Sequence, residues 1–98
     1  MLSIDSSVSD NTLILRLEGR IDTDSVAEFG KSLDCSNVGA VVLDMSKTLF
    51  VSSGGLREIL KAQKALDLKN GTITIMGASN EIRETLDMVN FTEFVILK

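Results

Sequence analysis

Histidine is absent from this 98-residue chain. With it goes the side chain most used for acid–base work near neutral pH, and the commonest metal ligand. A single cysteine, Cys35, excludes an internal disulfide and any Cys-x-x-Cys metal or redox site. There is no proline, so no cis-prolyl bond or proline kink has to be accommodated. No run approaches the roughly 20 apolar residues that span a bilayer. The opening MLSIDSSVSD has no basic stretch followed by an apolar one, so it does not read as a secretory signal. Positive charge is scarce: 10 Lys and Arg against 14 Asp and Glu leave a net charge of −4. An acidic chain with a pI near 4.6 is unsuited to wrapping a nucleic acid backbone. These absences point away from His- or metal-dependent catalysis, from bound cofactors, from nucleic acid and from membrane insertion. A cytoplasmic location is the expectation.

What is present is 44% apolar and 24% charged residues, an ordinary balance for one compact domain spanning residues 1–98. Leu2, Ile4 and Val8 alternate with polar positions and predict a first strand, followed by a turn at Asp10-Asn11. Leu13, Leu15 and Leu17 repeat the alternation over Thr12–Glu18, with Gly19 ending that strand. Asp22, Thr23 and Ser25 offer oxygens to open a helix, and Ser25-x-x-Glu28 has capping-box spacing. Val26, Phe29 and Leu33 share one face of that helix, which should end near Asp34.

Val38–Met45 contains Ala40-Val41-Val42-Leu43, apolar without alternation, as expected of a strand buried on both faces. Leu56, Ile59, Leu60 and Leu66 form the stripe of a second helix that stops at Asn70-Gly71. Thr72–Met76 reads as a strand, Ile82, Leu86 and Val89 as a third helix after Ser79-Asn80, and Phe94–Leu97 as a last strand. Met45, Met76 and Met88 fall on the apolar pattern and read as core. The order is β-β-α-β-α-β-α-β. An antiparallel opening hairpin and a parallel crossover from Val38 to Met76 make an α/β fold, a mixed β-sheet with helices packed on it.

The informative segment is Ser52-Ser53-Gly54-Gly55, at the start of the second helix. Three readings are open on the residues alone. One serine caps the helix; or the free amides and helix dipole cradle an anion; or Ser53 is a regulatory phosphate acceptor. There is no GxxxxGK[ST] or strand-linked GxGxxG to favour a nucleotide loop. A phosphate on Ser53 would meet the positive end of the helix, with Arg57 one turn on. Such a charge would alter what the surface binds without melting the helix.

The run LDMSKTLFVSSGGLREIL resembles the signature of STAS domains, in particular the bacterial anti-sigma factor antagonists: an apolar strand ending in Asp, then an aromatic-apolar pair and Asp/Ser-Ser-x-Gly-Leu opening a helix. Leu17–Asp22 is similar to the family's turn into its first helix, and Asn80–Val95 to its third helix and last strand. The resemblance implies a STAS fold and a partner-switching role. The unphosphorylated antagonist binds an anti-sigma factor that is a serine kinase of the GHKL type. Phosphorylation releases it, and a serine phosphatase resets it.

The phosphorylated serine of the family corresponds to Ser53, here preceded by Ser52 instead of the usual Asp and followed by Gly54 instead of Ser, Thr or Ala. The resemblance further implies a contact surface of Gly54, Gly55 and Arg57 with Ser52 and Thr23 at its margin, and no catalysis by this chain. Stand-alone STAS domains also resemble accessory subunits of membrane transporters, including lipid-transport ABC complexes. A nucleotide-sensing module is a third possibility.

Other charged residues have simpler expectations. Asp22 and Asp24 read as helix-start charges. Asp44 ends a strand and is expected to brace the loop before Ser53. Arg57, Lys61 and Lys64 form a basic row, either a solvated face or a docking stripe. Cys35 reads as an unreactive thiol at a helix end.

Overall fold

A computed structural model describes residues 1–98. Strands β1 (Leu2–Ser9), β2 (Thr12–Ile21), β3 (Ala40–Val51), β4 (Thr72–Met76) and β5 (Ile96–Leu97) alternate with helices α1 (Val26–Ser32), α2 (Ser53–Asp67) and α3 (Asn80–Met88) after the opening hairpin. A 3-10 turn, Phe91–Glu93, precedes β5. The expected order of elements is the observed one. No helix is long and apolar enough to cross a membrane.

Asp10 and Asn11 both take positive φ, 50° and 62°. That is the two-residue hairpin turn whose twist suits antiparallel strands, and Asp and Asn tolerate it. β1 therefore pairs antiparallel with β2, while β2–β3, β3–β4 and β4–β5 are parallel. The spatial order β1-β2-β3-β4-β5 follows the chain. Crossovers of one hand that all step in the same direction put every helix on the same face of the sheet.

That topology corrects the expectation for β3. Val41, Leu43 and Met45 are buried, but Val42 and Asp44 are only half-buried, because no helix covers the second face. The core lies between the sheet's inner face and the helices, built from Leu13, Leu15 and Leu17 of β2, Ile73 and Ile75 of β4, and Phe29, Ile59, Leu66 and Leu86 from the helices. Met45 belongs to it at 1% exposure, whereas Met76 and Met88 are 45% and 84% exposed. Met76 ends β4 facing out and Met88 ends α3 on its solvent side. Val89 is likewise not core; it lies just past α3 and is half exposed.

Both central strands run further than expected. Gly19 does not end β2: it continues the strand at φ 112°, and a Cβ there would collide with the Met1 carbonyl oxygen. β3 continues from Met45 to Val51 beside it, with one extra residue at each of two register shifts. Each shift resets which face a side chain takes. Buried positions in this half are therefore Met45, Thr48 and Val51, three apart, which hides the strand from a period-two reading. Thr48 offsets the disruption: its buried hydroxyl donates to the Leu17 carbonyl at 2.8 Å.

Candidate functional site

The paired ends of β2 and β3, Ile21 beside Val51, bring two turns together. From β2 the chain enters the turn Asp22–Ser25. Asp22 organises it: its carbonyl accepts from the amides of Ser25 and Val26 at 3.1 and 2.9 Å, and Oδ1 accepts from the Asp24 amide at 3.1 Å. Desolvation is the largest single influence and raises the Asp22 carboxyl, but the Asp24 amide, the Ser25 hydroxyl and amide and the chain's N-terminal charge together outweigh it and hold the carboxyl below its ordinary range. Ser25 is buried and does not cap α1 through its side chain, contrary to the capping-box reading. Its hydroxyl donates to the Arg20 carbonyl at 2.7 Å and accepts from the Asp22 amide at 3.0 Å, locking the turn to the strand. Thr23 is left exposed at the tip.

From β3 the chain enters α2 through Ser52. The Ser52 amide donates to the Ile21 carbonyl at 2.8 Å, and its hydroxyl accepts from the Gly55 amide at 3.1 Å. Ser52 is the helix cap. Ser53, the first residue of the helix, is exposed, and its hydroxyl takes no part in the cap. With Gly55 and Leu56 satisfied by Ser52, the amides of Ser53 and Gly54 are the free donors at this positive helix end. Two adjacent serines thus have different work, one structural and one available to solvent.

The glycines divide in the same way. Gly54 is half-buried, and a Cβ there would lie 3.3 Å from Val26 Cγ2, so the first turns of α1 and α2 nearly touch. Gly55 is buried, and a Cβ would lie 2.8 Å from Ile21 Cγ2 and 3.1 Å from Val51 Cγ1. Its expected place on the contact surface is corrected: Gly55 lets α2 sit down on the strand ends, where packing leaves no room for a partner. Arg57 is exposed one turn beyond Ser53.

Two further expectations change. Asp44 lies within β3, away from Ser53, and accepts from the Ser46 amide and hydroxyl at 3.0 and 2.7 Å. Those bonds, with Arg16 and Lys47 nearby, hold its carboxyl below the ordinary range despite some desolvation. It braces its own strand because β3 does not end there. The basic row also splits: Lys61 turns to Glu58 at 3.1 Å, while Arg57 and Lys64 join none of the structure's ion pairs. Cys35 is buried and unpaired.

Ser53 and Arg57 open onto a groove that periodicity did not reveal. On one side stand Leu56 and Leu60 of α2, on the other Val89, Phe91 and Phe94. The groove encloses about 500 Å³. Phe91 is buried and meets Phe94 edge-on, with ring centroids 6.4 Å apart. The available signal was the cluster of large apolar residues after α3, more than a two-residue edge strand can bury. Beside Ser52, Phe50 is 39% exposed under the Arg20 guanidinium, which lies 4.6 Å from the ring centroid.

A mixed sheet with helices on one face, and a serine pair dividing cap from exposed hydroxyl at the start of α2, define a recognisable class. The STAS domain profile matches residues 3–98, and the chain belongs to the STAS-domain family. Solved structures share the fold at low identity. An anti-sigma factor antagonist from Mycobacterium paratuberculosis superposes with a TM-score of 0.86 at 16% identity, over 99% of this chain and 85% of that one. The Bacillus cell fate determinant SpoIIAA in its phosphorylated form gives 0.72 at 17%, over 100% and 91%. A sulfate transporter family protein from Wolinella succinogenes gives 0.72 at 16%, over 89% and 73%.

Proposed function

We propose that this chain is an anti-sigma factor antagonist acting by partner switching in the cytoplasm, and that Ser53 is its phosphate acceptor. In this reading residues 1–98 form one STAS domain that catalyses nothing. It binds an anti-sigma serine kinase of the GHKL type when unphosphorylated, and a serine phosphatase restores the bound state. The observation that carries the reading is the division of labour between Ser52 and Ser53. Because Ser52 caps α2, the Ser53 hydroxyl is exposed and free for modification. Two free amides and Arg57 stand ready to receive the charge. Phosphate adds about −2 at a helix end that tolerates it. The fold survives, and binding changes by repulsion and desolvation at Thr23, Ser53, Gly54 and Arg57, with Ser52 beneath. The likeness to an anti-sigma factor antagonist and to SpoIIAA, itself an anti-sigma factor antagonist and solved in a phosphorylated form, supports the same assignment.

The test is paired affinity capture with wild type, Ser53→Ala and Ser53→Asp as baits. Wild type and Ser53→Ala should retain a small serine kinase that Ser53→Asp loses, with all three stable to within about 0.5 kcal/mol, as for surface changes generally. Unfolding of Ser53→Asp would sink the local-switch mechanism. A second reading, an accessory subunit of a membrane transporter, draws on the likeness to the Wolinella protein. It expects all three baits to hold the same transporter subunits.

A further inference from the structure

The groove beside Ser53 has a chemistry of its own. It runs along α2 from Ser53 to Lys64, roughly 17 Å at 1.5 Å per residue, or about three helical turns. Leu56, Leu60, Val89, Phe91 and Phe94 give it an apolar lining, with Gln63 and Ser53 as neutral polar members, and two wall residues, Val89 and Phe94, are 50% and 46% exposed. Side chains of that size standing open to water along one wall, facing the half-buried Leu56 and Leu60 on the other, mark a surface that is covered in use. The rim carries Arg57 and Lys64, and no carboxylate lines the groove, on a chain whose net charge is −4. A local excess of positive charge around an apolar trough selects its occupant by sign. A basic segment would be repelled by the rim, and a neutral one would leave both cations unanswered.

We infer that this groove is the docking site for an amphipathic helix of a partner protein, with apolar residues at i, i+3 or i+4, and i+7 and carboxylates along the edge that meets Arg57 and Lys64. The apolar face fills the trough against Leu60, Phe91 and Phe94, in the helix-in-groove manner. The acidic edge steers the encounter and sets the direction of the helix. The docking site stands whether or not Ser53 is phosphorylated in the cell. On the partner-switching reading it also explains how phosphate acts. A phosphate on Ser53 lies one turn from Arg57 and competes within the chain for the cation that the partner's carboxylate needs.

The test is selection of a displayed library of helical peptides, about 14 residues long to span the groove at 1.5 Å per residue, on the folded protein. Selected sequences should share the apolar spacing and an Asp/Glu edge. Affinity measured by fluorescence polarisation should fall at least tenfold with Lys64→Glu and with Val89→Lys. The control Lys61→Glu, on the other flank of α2, should leave it within twofold. Peptides without acidic residues, peptides indifferent to Lys64→Glu, or an equal loss with Lys61→Glu would each overturn the inference. So would a dimer of the free protein that Val89→Lys dissociates in sedimentation, since a second copy would then be the occupant. Incorporating phosphoserine at 53 separates the two ideas. A tenfold loss that shrinks in an Arg57→Gln background supports both. Unchanged affinity for peptides that still depend on Lys64 keeps the groove and removes the partner switch.

Discussion

At the scale of single residues, neighbouring serines differ because one hydroxyl reaches forward to the Gly55 amide and the other is exposed. Ser52→Ala removes the acceptor for the Gly55 amide and should cost about 1 kcal/mol. Ser53→Ala removes an exposed group and should change stability by less than about 0.5 kcal/mol. Urea denaturation of the two variants side by side checks the assignment, and equal losses would contradict it. Asp44 makes a second residue-scale prediction. Its carboxyl is held low by the Ser46 bonds, so the ionised form is favoured more in the folded than in the unfolded chain. The resulting stabilisation is complete above the unfolded value, near 3.8, and is lost as pH falls through the lower folded value. The melting temperature of wild type should exceed that of Asp44→Ala at pH 6, and the gap should narrow as pH drops below about 4. A gap independent of pH would mean that the charge contributes nothing.

At the scale of elements, the pairing of β2 with β3 is the joint on which the site depends. The extra residues in β3 carry the strand past Met45 to deliver Ser52 beside Ile21. The Leu17 carbonyl at the shift is satisfied by Thr48, 4% exposed, from across the sheet. Thr48→Val keeps the shape and removes the donor, leaving a buried carbonyl unpaired at a cost of about 1–3 kcal/mol. Chemical denaturation should register that loss; a neutral substitution would show that the irregularity needs no such support. The elements with strong local signals were legible in the sequence. The Asp10-Asn11 turn, the α2 stripe and its Asn70 stop, with φ 60°, all appear where local chemistry requires them. The second half of β3 was not legible, because two register shifts cancel the alternation that marks a half-buried strand.

At the scale of the whole molecule, the strand order repeats the chain order, and the consequence is an uneven distribution of stability. β3 is held between β2 and β4, whereas β5 contributes only the pairs Thr74–Ile96 and Ile75–Leu97 at an edge. Hydrogen exchange should follow that hierarchy. Amides of Val41–Asp44 should open only with global unfolding, and the Lys98 amide, bonded to the Ile75 carbonyl at 3.0 Å, should open locally and sooner. Equal protection at both ends would imply that β5 is locked by the α3 side of the molecule. The same one-directional winding leaves the outer sheet face without helices, which no property of β3's own residues could disclose. Ala40–Leu43 is as apolar as a doubly covered strand, and only the position of the crossovers decides what lies over it.

Local chemistry in the sequence settled the order of elements, the hairpin turn, the inward faces of β2 and β4, and the existence of a serine-glycine helix start, since each depends on neighbours within a few residues. Tertiary structure alone decided which serine is the cap, because that depends on how Ser52 is held by Ile21. It also turned Gly55 from surface to packing, moved Asp44 away from the site, exposed Met76 and Met88, and set Val89 and Phe94 opposite Leu60. These outcomes rest on contacts between segments far apart in the chain, where spacing along the sequence carries no distance information.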